Sequence, residues 1–424
     1  MKSHSRIHEE IYIIMMLAIC SFKWIFEGRF SLAFLEAGLL AIALLPMLKS
    51  SVRINFGILM WILVVVCICI SMVFRGTNPG NVIKLAVLLL TVMYLVFADF
   101  SRINMNKVFY FIEKTGLFYT IFVYIHFILK ERFNALYFPL LSSYNQHYAY
   151  EYYRGGRYFG LLYAPHEVAG ILVFSIMLVV LRMFTNRKIK TKDVILLFIF
   201  LFALILTGKR GVLVAGVISI FITILCFYNS RKMVVNSIKV IAVFCLLGAA
   251  FIYLVNKFPD SVVFYRINRL YVRLLQGDVI DKVRRALYKL ALITWQKNKV
   301  FGIGWRNFIF LTTNNAQFSE AHQVNCDYLQ WLCEMGLTGF TICILAVITN
   351  LKYTLRLCKN LNKIHNSAKK KNTLFGIAIQ LFTIMYAVCE TPFYDILFFA
   401  FYILSCIIVS GMQRELRAKG TIDE

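Results

Sequence analysis

An all-α, polytopic integral membrane protein with about twelve transmembrane helices is the fold class this sequence predicts, and three observations carry the prediction. Of 424 residues, 60% are hydrophobic and 16% are charged, against about 25% charged in a soluble globular domain. The apolar residues gather in long runs, and mean hydropathy is +0.71. Lys and Arg concentrate in the short stretches between those runs, which is how a chain sets its orientation in a bilayer.

A helix needs about 20 mostly apolar residues to span the hydrocarbon, with roughly 17 to 25 tolerated. Segments 11–26, 30–48, 56–74, 82–98, 108–129, 160–181, 194–206, 212–227, 238–255, 336–348, 373–388 and 393–409 read as spans, the seventh and tenth being short. With the N-terminus inside, the predicted inner loops are basic. They hold Lys49 and Arg53; Arg102 and Lys107; Arg187, Lys188, Lys190 and Lys192; Arg231 and Lys232; and Lys359 through Lys371. The short outer loops carry little beyond Arg29 and Arg75. An even number of spans then leaves both termini in the cytoplasm. The first apolar run lacks a small-residue cleavage site and is expected to be retained.

No linker or repeat divides the chain, so one membrane domain over 1–424 is expected, with two long outer segments at 130–159 and 256–335. The second lies between spans 9 and 10. Long loops of this kind carry function.

The net charge of +25 would point to nucleic acid in a soluble chain, but here it sits in loops, where it serves topology. No nucleic-acid partner is expected. Most of the 11 cysteines fall inside apolar runs, where Cys behaves as a small hydrophobe. No CxxC or Cys/His cluster has metal-ligand spacing. Cys326 and Cys333 are seven apart, two turns along one helix, too far for a disulfide.

Residues able to do chemistry cluster at predicted span ends and in the long second loop. Within 264–275, Phe264, Ile267, Tyr271 and Leu274 recur at helical spacing beside a stripe of Arg266, Arg269 and Arg273. Two readings are open: a surface helix on anionic lipid, or arginines that hold the diphosphate of a lipid-linked substrate. A second helix is predicted over 281–296, with Val283, Leu287, Leu290 and Ile293 near one face and Arg284 and Arg285 beside them. It leads into Phe301-Gly302-Ile303-Gly304-Trp305, whose glycines permit a tight turn; a plain surface helix and turn is the alternative.

Next come His322 and Asp327, five residues apart. On one helix they would diverge by about 140°, so sharing a site requires a bend. Histidine titrates near neutral pH, although a lone His at a membrane edge is also a common structural residue. Glu334 follows, before Gly336. Gly208-Lys209-Arg210-Gly211 separates two apolar runs, and a central Arg costs roughly 2.5–3.5 kcal/mol on insertion scales. Arg210 is therefore expected at the interface or facing a polar cavity. Arg157-Tyr158-Phe159-Gly160 precedes Pro165-His166-Glu167 at the start of another span, either a broken, cavity-lining helix start or an ordinary interfacial one.

The order of these motifs resembles the O-antigen ligase and repeat-unit polymerase superfamily, the Wzy-type polysaccharide polymerases, over about the C-terminal two-thirds of the chain. The resemblance rests on Arg157-x-x-Gly160 with Pro165, and on the small-x-Arg210-Gly211 element. It continues with Arg284 and Tyr288, Phe301-Gly302-Ile303-Gly304, and Tyr328-Leu329-Gln330 with Glu334 and Gly336-Leu337-x-Gly339. The family's His before the Tyr-Leu pair falls here on Asn325, with His322 three residues earlier. Its Pro-Asn is Pro165-His166, so either His166 or His322 is a candidate for the expected ring.

What the resemblance implies is a glycosyltransferase of a bacterial cytoplasmic membrane. It would join isoprenoid-diphosphate-linked oligosaccharides on the outer face by inverting displacement. Arg157, Arg210 and Arg284, with Lys209 and Arg285, would hold diphosphate. His322, or alternatively Asp327, would be the base, and Glu334 and His166 are further candidates. No Asp-rich metal motif is present, so neither metal nor cofactor is expected. A chain-length regulator and a flippase are implied partners. The rivals are a ligase moving finished glycan to another acceptor, and a flippase, for which charges buried mid-span and repeat symmetry would be expected.

Overall fold

The computed structural model describes residues 9–22, 30–49, 52, 54–76, 78–186, 190–227, 257, 282–314, 318 and 322–419. All regular structure among them is helical: α1 (Glu9–Ser21), α2 (Phe30–Leu44), α3 (Phe56–Arg75), α4 (Pro79–Phe97), α5 (Met105–Leu129), α6 (Glu131–Tyr137), α7 (Ser143–Arg154), α8 (Pro165–Thr185), α9 (Thr191–Leu206), α10 (Arg210–Phe227), α11 (Lys282–Lys297), α12 (Phe308–Thr313), α13 (Asp327–Asn360), α14 (Ser367–Tyr386) and α15 (Ile396–Ala418). The predicted span 238–255 and helix 264–275 lie outside the described residues.

Six of these helices are long and apolar enough to cross a membrane: α3, α4, α5, α8, α13 with its extension to Lys363, and α15. Helices α1, α2, α9, α10 and α14 stand where five further spans are predicted. Twelve spans remain an expectation of the sequence; length and hydropathy establish six. The helix ends follow local chemistry. Asn55 caps α3 by accepting from Ile58 N at 2.9 Å, and Asp395 caps α15 by accepting from Leu397 N at 2.9 Å, each satisfying an orphan donor of the first turn. Pro79 and Pro165 open α4 and α8, where a missing N–H costs nothing.

The chain forms two compact units, the first built from 1–112, 283–357 and 375–424, the second from 113–282 and 358–374. In the first, α15 is buried along almost its whole length and packs on α1 and α4. Trp61 of α3 stands against Phe393, Phe399 and Tyr402, with ring centroids 5.8, 5.2 and 5.5 Å away. In the second, α8 packs on α9 and α10. Small residues let helices approach there, as membrane helices require: a Cβ on Gly116 would lie 2.2 Å from Ser175 Oγ, and one on Gly216 3.1 Å from Val173. Buried charges of this unit neutralise one another, Arg182 bridging Glu113 at 2.6 Å and Asp193 at 2.7 Å.

Candidate functional site

In the second unit, the Arg157-x-x-Gly160 segment is a turn held by its neighbours. Tyr158 N donates to the Leu206 carbonyl at 3.0 Å, which ties the turn to the end of α9. His126 Nδ1 accepts from both Phe159 N and Gly160 N at 3.3 Å, while its ring stacks on Phe133 and Tyr153. Gly160 has φ +62, and a Cβ there would stand 2.9 Å from the Phe122 backbone; only glycine meets both demands.

That turn brings together two cations that are distant in sequence. Arg157 Cζ lies 5.0 Å and Lys209 Nζ 5.8 Å from the centre of the Tyr152 ring, within the range of cation–π attraction. Gly208, at φ +65, turns the chain from α9 into Lys209 and then Arg210, the exposed first residue of α10. A cation at a helix N-terminus opposes the helix dipole, an arrangement that a bound anion would reconcile. In the first turn of α8, His166 Nε2 is 3.8 Å from Glu167 Oε1.

In the first unit, the key feature is a break in α13 at Gly336, which has φ +66. The break unpairs two carbonyls, those of Cys333 and Glu334, from the amides of Leu337 and Thr338. The turn after α11 takes up all four groups. Ile303 N donates to Cys333 O at 3.1 Å and Gly304 N to Glu334 O at 2.8 Å, while Leu337 N and Thr338 N donate to Lys299 O and Val300 O at 2.8 and 3.2 Å. The two backbones meet so closely that a Cβ on Gly302 would lie 2.4 Å from the Glu334 carbonyl, and one on Gly336 2.3 Å from Val300 O. This is the physical content of the Gly302-x-Gly304 and Glu334-x-Gly336 motifs.

Glu334 is fully buried. Its carboxylate accepts from Arg306 N at 2.8 Å, Phe308 N at 3.2 Å, Tyr394 Oη at 2.8 Å and Gln330 Nε2 at 3.3 Å. The acceptor capacity is consumed by the protein itself. Arg306 has φ +60; its guanidinium donates to the Tyr394 carbonyl and lies over the rings of Trp305 and Tyr394, 5.2 and 5.7 Å from their centres.

Helix α11 packs through Leu287 and Ala291 onto Phe308, Phe318, Val324, Cys326 and Cys333. The buried stripe runs through Leu287, Ala291 and Thr294, with Leu290 half-buried. Val283 and Ile293, expected on the same face, are exposed: Val283 stands in the first turn, and Ile293 is about 100° round the helix from its neighbour Thr294 in the buried stripe. Arg284 pairs with Glu390 at 3.0 Å, and Arg285 is exposed. Tyr288 Oη donates to the Asn325 carbonyl at 3.3 Å; burial pushes its phenol up from the usual range, so it remains a donor. Asn325 itself has φ +57, which asparagine tolerates better than most residues.

His322 and Asp327 do not share a helix. His322 lies in the extended segment before α13, its backbone exchanging hydrogen bonds with Thr312 Oγ1 at 2.9 and 3.0 Å, its ring 5.9 Å from that of Phe318. Asp327 opens α13 and is fully buried. One carboxylate oxygen accepts from Phe393 N at 3.0 Å, and its backbone N–H donates to Ala387 O and Glu390 O.

Sequence reasoning missed Tyr152, His126, Arg306 and Glu390. The acidic Glu390-Thr391-Pro392 interruption between two apolar runs was the available signal for the last. The other three announce themselves only through what they touch.

Residues 195–344 match the family model described as O-antigen ligase. The match, about a third of the chain, takes in Lys209, Arg210, Arg284, Arg306, His322, Asp327 and Glu334. It agrees with the superfamily whose motif order the sequence resembles and supports a ligase- or polymerase-type role in glycan processing by an integral membrane protein. No curated protein matches the chain.

Proposed function

We propose that this protein joins isoprenoid-diphosphate-linked oligosaccharide repeat units into a surface polysaccharide on the outer face of a bacterial cytoplasmic membrane, with both its termini inside. One observation carries the reading: Arg157 and Lys209 are gathered on Tyr152, and Lys209 with its neighbour Arg210 lies inside the segment matched to the O-antigen ligase family. A sugar linked through C1 to a diphosphate needs its leaving group stabilised. Guanidinium and ammonium groups fixed on an aromatic face supply positive charge without reorganising during the reaction.

In the proposed step the acceptor hydroxyl loses its proton to His322, its oxygen attacks C1 of the donor sugar, and the C1–oxygen bond to the diphosphate breaks. The isoprenoid diphosphate departs with the bonding electrons, and the anomeric configuration inverts. Arg157, Lys209 and Arg210 of the second unit are assigned to a lipid diphosphate; Arg284 and Arg285, in the first unit, are separate candidates for phosphate charge. Asp327 is the weaker candidate base because it is buried and already bonded to Phe393 N. A positioned base typically contributes about 10²–10⁴-fold.

The family description favours a second reading, transfer of finished glycan to a different acceptor. Purified protein in nanodiscs, supplied with isoprenoid-diphosphate repeat units, separates the two. A ladder of products is expected for the polymerase and a single transfer for the ligase. Flipping without any glycan transfer would refute both.

A further inference from the structure

A polymerase of this kind takes two substrates that each carry a diphosphate, the growing donor and the incoming unit. It therefore needs a second place for phosphate charge beyond Arg157, Lys209 and Arg210. Within the first unit, Arg306 has three properties that suit one. Its backbone sits at φ +60, a conformation that costs a non-glycine residue energy and clusters at functional sites. Its guanidinium lies over Trp305 and Tyr394, and stacked arginines keep a planar fork of donors oriented toward phosphate oxygens. It is half-buried, and one nitrogen of the fork donates to the Tyr394 carbonyl, which fixes the plane of the guanidinium.

The strained backbone is held by Glu334. That carboxylate, buried completely, spends its acceptors on Arg306 N, Phe308 N, Tyr394 Oη and Gln330 Nε2. The break at Gly336 and the glycines of the 302–304 turn bring the carboxylate to that backbone. Burying a carboxylate to fix one arginine's backbone is costly, and a purely structural turn would place glycine or asparagine at position 306 at no such cost. We infer that Arg306 contacts the diphosphate of one of the two lipid-linked substrates, and that Glu334 is the positioning residue which sets its direction. The inference rests on the proposed function for the identity of the anion, not for its charge.

The test compares Arg306→Gly, Arg306→Lys and Glu334→Gln with wild type in nanodiscs. Readouts are the melting temperature with and without inorganic diphosphate, the inhibition constant of diphosphate, and KM for separately labelled donor and acceptor. Arg306→Gly relieves the positive φ but removes the hydrogen bond to the Tyr394 carbonyl, so the two effects offset and its melting temperature is expected to change little while the diphosphate inhibition constant increases about tenfold, the equivalent of roughly 1.4 kcal/mol. Arg306→Lys keeps the charge but not the fork and is expected to fall between. Glu334→Gln should raise the same constant with kcat changed less than KM. Whichever KM rises, donor or acceptor, identifies the bound substrate.

Inhibition constants and both KM values within twofold of wild type in Arg306→Gly and Arg306→Lys overturn the inference, as does a lower melting temperature with unchanged binding, which marks a structural arginine. If wild type stabilised by diphosphate loses that response in Arg306→Gly yet no glycan is ever transferred, the anion site stands and the functional reading fails.

Discussion

Tyr152 decides where two cations meet, and its ring rather than its hydroxyl should matter. Tyr152→Phe is therefore expected to keep turnover near wild type. Tyr152→Leu, which removes the π-face under Arg157 and Lys209, should raise donor KM several-fold, as loss of about 0.5–1 kcal/mol would. Arg210→Gln and Arg157→Gln are expected to lower kcat/KM by about 10²-fold or more if each stabilises charge in the transition state; ladder formation at the wild-type rate by both folded variants would remove them from the site. Glu390 acts in the opposite sense. Its carboxylate neutralises Arg284 across a partly exposed pair, worth about 0.2–1 kcal/mol after solvent screening. Glu390→Gln should tighten diphosphate inhibition by about twofold to fivefold, read from the inhibition constant.

Helix α13 shows how an element can be broken without loss of hydrogen bonds. Unpaired backbone groups are expensive in a span, and here the Lys299–Gly304 turn re-pairs all four that the Gly336 break releases. Alanine at Gly302 or Gly336 would put a Cβ within 2.4 Å of backbone atoms at a positive φ. Each substitution is expected to destabilise by about 3 kcal/mol or more, combining strain and overpacking. Gly38 in α2 has nothing within 4 Å of its Cβ position, so Gly38→Ala should be neutral or stabilising by up to about 1 kcal/mol. Thermal unfolding of the three variants in the same detergent checks the contrast. The motif glycines were visible in the sequence as a turn signal, but their partner was not, because the two stretches lie some thirty residues apart and meet only through the break.

At the level of the whole molecule, the alternation of basic and weakly charged loops sets the expected orientation. A fluorescent protein fused to the C-terminus should fluoresce, and a phosphatase that works only outside the cytoplasm should be active when fused after Lys289. The reverse pattern would overturn the outer-face reading. Charge stabilisation by arginine and lysine rather than a metal also predicts that chelators leave glycan transfer unchanged within twofold; loss of activity on EDTA treatment, restored by a divalent cation, would contradict it.

Composition and hydropathic periodicity by themselves determined that this is an all-helical membrane protein, because burying or embedding so much apolar surface leaves few other solutions. Motif order was also sufficient to indicate the family resemblance, since the spacing of Arg210, Arg284, the Gly302 turn and Glu334 is a linear property of the chain. Tertiary structure alone decided which residues of these stretches hold the backbone in place. Glu334 and Arg306 show why. In the sequence one is a further site candidate without a role and the other carries no assignment. Folding buries the first, consumes its oxygens in holding a strained backbone, and leaves the second presented on two aromatic rings.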